Sequence, residues 1–331
     1  MNNPYVRTLG PVWENTKNVT INEKMLQKLI RDMKQKKENG ELIIPAWDTP
    51  NAQPPIGCSL TEWLNYVCTA NTINFAFSNF NYPCEKFSIE YPKGVFWKGA
   101  FAMGASLMRA REENIPIFDA WYLSEISIED VGRIFRSIDE DHQIPMFRQR
   151  WEIFREIGKI LASEYDGSWL DLFEKANWLA FNNGKGIVEQ LVANFPSFRD
   201  TRVYGGRLLE FHKRAQLLVM EYYGRAFNSK GAFPIIGDIE DIGPIADYEV
   251  PKALEYLSVL EYSPNMKAAI QSHFVFSPDD AIEVENRLAM SCVMKKICDE
   301  VGIGMPQADY YIWEIGRKAK SPHILVPTIN Y

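Results

Sequence analysis

Two charged residues sit among apolar neighbours. Lys213 lies in Phe211-His212-Lys213-Arg214-Ala215-Gln216-Leu217, and the positions four before, four after and seven after it are Leu209, Leu217 and Met220. A helix through this segment places Lys213 on its apolar face. There an ammonium either snorkels along the edge of the core or points into a pocket, and spacing alone leaves both readings open. Its neighbour Arg214 has Glu210 four residues earlier, the spacing of a surface ion pair. Asp247, in Ile245-Ala246-Asp247-Tyr248-Glu249-Val250-Pro251, precedes a helical pattern through Ala253, Leu254, Leu257 and Leu260. Asp ahead of a helix with Pro in its first turn reads as an N-cap. The dipole and backbone donors at that position also hold a carboxylate ionised, which suits it to stabilise a developing cation.

Other sources of chemistry are missing from the sequence. It contains no H-E-x-x-H, no phosphate-binding P-loop, no G-x-S-x-G and no paired Cys/His metal box. His142, His212, His273 and His323 lack metal-ligand spacing, as do the scattered Cys58, Cys68, Cys84, Cys292 and Cys298. An odd, sparse set of cysteines argues against a disulfide framework or structural zinc. Gly184-Lys185-Gly186 before a helix can hold an anion or simply connect two helices.

Charge excludes more. With 36 basic and 43 acidic side chains in 331 residues the net charge is −7, against the basic footprint of a duplex nucleic-acid binder. Nine Trp, 15 Tyr and 19 Phe within a 46% hydrophobic chain supply the core that a disordered chain lacks. The start Met1-Asn2-Asn3-Pro4-Tyr5 has no signal-peptide pattern and no apolar run approaches membrane-spanning length, so a soluble, cytoplasmic protein is expected.

The elements that position Lys213 and Asp247 read as helices. Periodicity predicts them near 23–39, 60–70, 99–113, 127–137, 145–164, 168–180, 185–194, 204–226, 247–259, 280–300 and 308–319. Asp166-Gly167, Asn182-Asn183-Gly184 and Gly205-Gly206 read as turns between them. One hairpin is expected, Phe87–Glu90 turning through Pro92-Lys93-Gly94 into Val95–Trp97. The expectation is a mostly α chain in one helical domain, 59–331, on which an extension, 1–58, packs. That extension comprises an amphipathic helix and a stretch with Pro45, Pro50, Pro54 and Pro55.

Several blocks occur in collinear order from about residue 60 onward. They are Asn74-Phe75-Ala76-Phe77, Phe195-Pro196-Ser197-Phe198-Arg199-Asp200, Lys213-Arg214-Ala215-Gln216, Asp238-Ile239, Ala246-Asp247-Tyr248, Val250-Pro251, Tyr262-Ser263 and Glu283-Val284-Glu285 with Arg287. With these blocks the chain resembles the queuosine salvage protein family, hydrolases that release queuine from queuosine 5′-phosphate. It departs from that family's pattern at Asn71, Glu249, Asn286 and Leu288. The resemblance implies a helical fold akin to the helix-hairpin-helix DNA glycosylases. It also implies a small-molecule nucleotide as partner, with no cofactor or metal. Lys213 and Asp247 then correspond to the lysine and the catalytic aspartate.

The chemistry suits those residues. Cleaving an N-glycosidic bond passes through an oxocarbenium-like sugar, which a fixed carboxylate stabilises while activating water. On the same resemblance, Lys213 holds the 5′-phosphate or the ribose. Asn74 and Asp241 are further substrate-binding candidates. Phe75, Phe77 and Tyr248 can stack on the flat base, while Asp200 and Glu285 suit its cationic amine and amide edge. Core packing, a helix cap or an ion pair with Arg199 or Arg287 are the alternative roles of these side chains. A DNA-type base glycosylase and a non-catalytic nucleotide-binding protein are the competing functions.

Overall fold

The computed structural model describes residues 3–10, 12, 16–82, 85–139 and 143–331; Cys84 and His142 lie outside them. The helices described are α1 Val6–Leu9, α2 Glu23–Glu38, α3 Leu60–Thr72, α4 Ala100–Glu112, α5 Ala120–Glu125, α6 Ile128–Ile134 and α7 Phe147–Glu164. They continue as α8 Trp169–Lys175, α9 Ile187–Asn194, α10 Lys213–Asn228, α11 Glu249–Tyr256, α12 Pro264–Gln271, α13 Ala281–Val301 and α14 Met305–Lys318. Side-chain caps start many of them: Asn22, Ser59, Ser127, Ser168, Ser263 and Asp280 each accept a hydrogen bond from a first-turn amide.

The chain is mostly helical, as expected. The remaining structure includes three two-stranded antiparallel pairs. The expected hairpin is present as β2 Ser88–Glu90 and β3 Phe96–Lys98. A second hairpin corrects the reading of 204–226 as one helix: β4 Thr201–Tyr204 pairs with β5 Arg207–Glu210 before α10 begins. Gly205 and Gly206 form its turn at φ +56° and +74°, the left-handed pair that a tight hairpin needs, and do not connect helices. Leu209 is therefore on a strand, and Lys213 opens α10. The third pair joins β1 Val19–Ile21 to β6 Leu260–Tyr262 across most of the chain.

α2 buries Leu26, Leu29, Ile30 and Met33 and packs on α13, while Lys37 Nζ donates to the Val301 and Gly302 carbonyls at 3.1 and 2.9 Å. That ammonium closes the C-terminus of α13.

Irregular segments are held by buried arginines. Arg150 donates to the carbonyls of Ile73, Phe75 and Ala76, and Arg225 to those of Ala46, Trp47, Pro54 and Pro55. Arg214 does not pair with Glu210. It is buried and donates to the Thr72 and Ser197 carbonyls, while Glu210 meets His212. A guanidinium has five donors, so one side chain satisfies several loop carbonyls that no strand partner reaches.

Candidate active site

α10, α11, α14 and the Pro-rich stretch surround a cavity of about 310 Å³. From α10 come Lys213, Leu217 and Glu221, four residues apart on one stripe; from α14 come Asp309, Trp313 and Arg317 with the same spacing. Asp247, Tyr248 and Glu249 enter at the start of α11, and Trp47, Ala52 and Gln53 close one wall. α11 and α14 approach closely at Gly316, where an added Cβ would lie 2.4 Å from the Glu249 carbonyl oxygen. This contact sets the distance between the helix bearing Asp309 and the turn bearing Asp247.

Asp247 is buried. Its Oδ1 accepts from the Glu249 and Val250 amides at 2.9 and 3.0 Å, so the carboxylate caps α11. Among the described residues no hydrogen bond reaches Oδ2. Burial raises the Asp247 pKa, Lys213 and the two amides oppose the rise, and Glu249 adds to it. Lys213, also buried, makes no side-chain hydrogen bond or ion pair among the described residues. Burial lowers its pKa, and Asp247, Glu221 and Asp309 pull it back up.

Two acids complete the cluster. The Glu221 carboxyl is pushed up to about 7 by burial, although Asn71 Nδ2 donates to its Oε2 at 2.7 Å and Lys213 is near. Burial, with Asp247 and Glu221 adding to it, drives Asp309 well above the usual carboxylate range. Its Oδ1 has no hydrogen-bond partner among the described residues. Lys213, Glu221, Asp247 and Asp309 thus meet in the cavity with no ion pair in contact among the four, whereas Lys86 and Glu249, also on its lining, pair at 3.1 Å. Charges left apart in a desolvated space interact strongly with whatever enters it.

The candidate residues divide. Lys213, Asp247, Asn74, Phe77 and Tyr248 line the cavity together. Tyr248 is backed by His323, ring centroids 4.2 Å apart and planes at 22°. Phe75, Asp200, Asp241 and Glu285 do not line it. Phe75 is fully buried between the guanidiniums of Arg150 and Arg214, at 4.2 and 5.3 Å from its ring centre. Asp200 takes a fork from Arg287, at 2.9 and 2.5 Å, and accepts from the Lys213 amide at 3.2 Å. It therefore holds the start of α10 from behind the cavity. Glu285 accepts from the Lys17 and Asn18 amides and from Tyr204 Oη, at 2.9, 2.6 and 2.6 Å. Asp241 is buried in a 3-10 turn, its carbonyl accepting from Asn3 Nδ2 at 3.1 Å.

Glu221 and Asp309 escaped the sequence reading, although a signal for both exists. Glu221 is eight residues after Lys213 on the same stripe, and Asp309 shares its helix face with Met305, Ile312 and Gly316. An acid on an apolar face is the same anomaly that singled out Lys213. At Gly184-Lys185-Gly186 the helix's own carboxylate meets the Gly amide: Glu189 Oε2 accepts from the Gly186 amide at 2.9 Å. Among the described residues no cluster of three or more His, Cys, Asp or Glu could hold a metal ion, and no helix is long and apolar enough to cross a membrane.

A Sphaerobacter thermophilus protein named queuosine 5′-phosphate N-glycosylase/hydrolase is 32% identical over 277 residues, covering 81% of each chain. Proteins of the same name from Bos taurus and Dictyostelium discoideum are 29% and 27% identical, over 92% and 96% of this chain and 90% and 95% of theirs. The profile of the queuosine salvage proteins matches residues 57–330. The chain belongs to the queuosine salvage protein family.

Proposed function

We propose that this protein is an N-glycosyl hydrolase that cleaves queuosine 5′-phosphate to queuine and ribose 5-phosphate. The observation that carries the reading is the meeting of Lys213 and Asp247 in one cavity, each buried and neither in an ion pair. The named activity of the relatives supports it.

In this reading the Asp247 carboxylate, fixed through Oδ1 to α11, offers Oδ2 to the sugar. As the bond from C1′ to the base nitrogen breaks, its electron pair leaves with the base and positive charge grows on the ribose. Asp247 stabilises that charge, and water adds to C1′ as the carboxylate accepts its proton. The amides of Glu249 and Val250 and the nearby ammonium of Lys213 favour the ionised form of Asp247 and oppose the rise that burial imposes on it. Lys213 holds the 5′-phosphate or the ribose as a compact charge. Asn74, Phe77 and Tyr248 receive the base. Phe75, Asp200, Asp241 and Glu285 serve it indirectly, through the loops and helix starts that they brace.

The lysine helix, the turn and the aspartate at the next helix mouth also fit a likeness to helix-hairpin-helix glycosylases, part of this proposal. So does the division into an extension, 1–58, on a catalytic domain, 59–331, acting in the cytoplasm. Incubation with queuosine 5′-phosphate and mass spectrometry of the products tests the function. Queuine and ribose 5-phosphate in equal amounts are expected; binding without turnover would mark a nucleotide-binding protein instead.

A further inference from the structure

His323 does not line the main cavity, yet both of its ring nitrogens are committed. Nδ1 donates to the Ile324 carbonyl at 2.6 Å, and Nε2 accepts from the buried Ser78 hydroxyl at 3.0 Å. Burial pushes the imidazole down to about 4, with Glu249 opposing the shift and Lys86 and Lys252 adding to it. The ring is therefore uncharged near neutrality, in the one tautomer that both partners fit. Its segment is fixed as well: the Leu325 carbonyl accepts from the Phe276 amide at 2.9 Å, and that of Tyr331 from the Ala76 amide at 3.1 Å. The face of the imidazole lies on Tyr248, centroids 4.2 Å apart and planes at 22°. Tyr248 lines the main cavity from the start of α11, and Ser78 follows Phe77, which lines it too. A second space of about 60 Å³ adjoins the stack, lined by Tyr248, Lys252, Tyr262, Asn286 and His323 among others. With the imidazole gone, the tyrosine ring would be free to turn about its two torsions into that space and leave the cavity wall.

We propose that His323 is a positioning residue: wedged between Ser78 and Tyr248, it holds the tyrosine ring in the cavity wall and so pre-forms the face that receives the base of the substrate. This rests on the proposed function above and adds to it a residue that acts only through Tyr248. The hydrogen bond to Ser78 also ties the start of α11 to the loop bearing Phe77, so two walls of the base site keep one spacing. The gain is pre-organisation. A ring already ordered gives up less freedom when the base arrives, which for one side chain amounts to about 3- to 10-fold in affinity.

The test uses the full chain and two variants. His323→Asn keeps a donor for the Ile324 carbonyl and drops the ring; Ser78→Ala keeps the ring and drops its second hydrogen bond. In His323→Asn the KM for queuosine 5′-phosphate and the Kd for free queuine should rise together by about 3- to 10-fold, with kcat within about twofold of wild type. Ser78→Ala should move both constants the same way by a smaller factor. Unchanged constants in both variants, or a fall in kcat at unchanged KM, overturn the proposal. In a Tyr248→Leu background His323→Asn should add nothing, because the ring it positions is gone; additive losses overturn it. NMR of the wild type, which needs neither ligand nor turnover, should show the His323 ring protons shifted upfield by the tyrosine ring current. Tyr248→Leu should remove that shift, and an unshifted imidazole in the wild type also overturns the proposal. Should His323→Asn fold poorly, Ser78→Ala and the NMR outcome decide. A wild type that leaves queuosine 5′-phosphate intact marks failure of the hydrolase reading, whereas an active wild type with additive variants marks failure of the His323 assignment.

Discussion

Glu221→Gln measures how strongly the cavity penalises charge. The Glu221 carboxyl rises from 4.5 to about 7 because burial outweighs the help of Asn71 and Lys213. A raised acid binds its proton more tightly in the folded chain than in the unfolded one. Its stabilising contribution is complete below 4.5 and is lost as pH rises through about 7. At about 1.4 kcal/mol for each pH unit in that window, the loss is less than about 1 kcal/mol by about pH 5 and roughly 3 kcal/mol by about pH 8. Glutamine keeps an acceptor for Asn71 and cannot ionise, so the variant escapes the loss. Urea unfolding of both proteins at constant ionic strength reads it directly. The stability difference should move by about 2 kcal/mol in favour of the variant between about pH 5 and about pH 8. Asp247 and Asp309 are present in both proteins and cancel to first order. A difference that stays flat across this range would refute the claim that burial dominates at Glu221, and movement the other way would show a net favourable ion pair with Lys213.

Three further outcomes are expected. Asp247→Asn retains an acceptor for the Glu249 and Val250 amides, so urea unfolding should shift by less than about 1 kcal/mol while queuine release falls by about 10²- to 10³-fold. If Lys213 holds phosphate, Lys213→Ala should lower kcat/KM for the nucleotide by about tenfold more than for the nucleoside, and equal losses would point to the ribose. Arg287→Met strands Asp200 in the core and leaves Glu283 only Arg202 as an ion-pair partner, which should cost about 3–5 kcal/mol in urea unfolding.

Helices with a continuous apolar stripe were legible, α2 and α7 among them, because their burial depends on local spacing. The β2–β3 hairpin was legible for the same reason: its turn residues and strands are contiguous. The β1–β6 pair was not, since three-residue strands separated by most of the chain leave no local pattern. β4–β5 was hidden because Leu208, Leu209, Lys213 and Leu217 mimic a helical period through a hairpin and its exit. Lys213 and Asp247 stood out as charges in apolar surroundings, and the same rule applied to Glu221 and Asp309 would have found them. Asp200 and Glu285 show the limit of that rule. Composition marks a buried acid, but only the fold tells whether a ligand or an arginine meets it.

The arginine-held loops have a consequence for how this protein can drift over generations. Substitution changes a side chain and leaves its carbonyl in place. The segments at 73–76 and 46–55 are fastened largely by those carbonyls, to Arg150 and Arg225. Residues there can exchange with little effect on the fastening, so the cavity wall can acquire new side chains while its path stays put. The tolerance does not extend to the fasteners: lysine in either place has three donors on one atom and cannot span the same carbonyls.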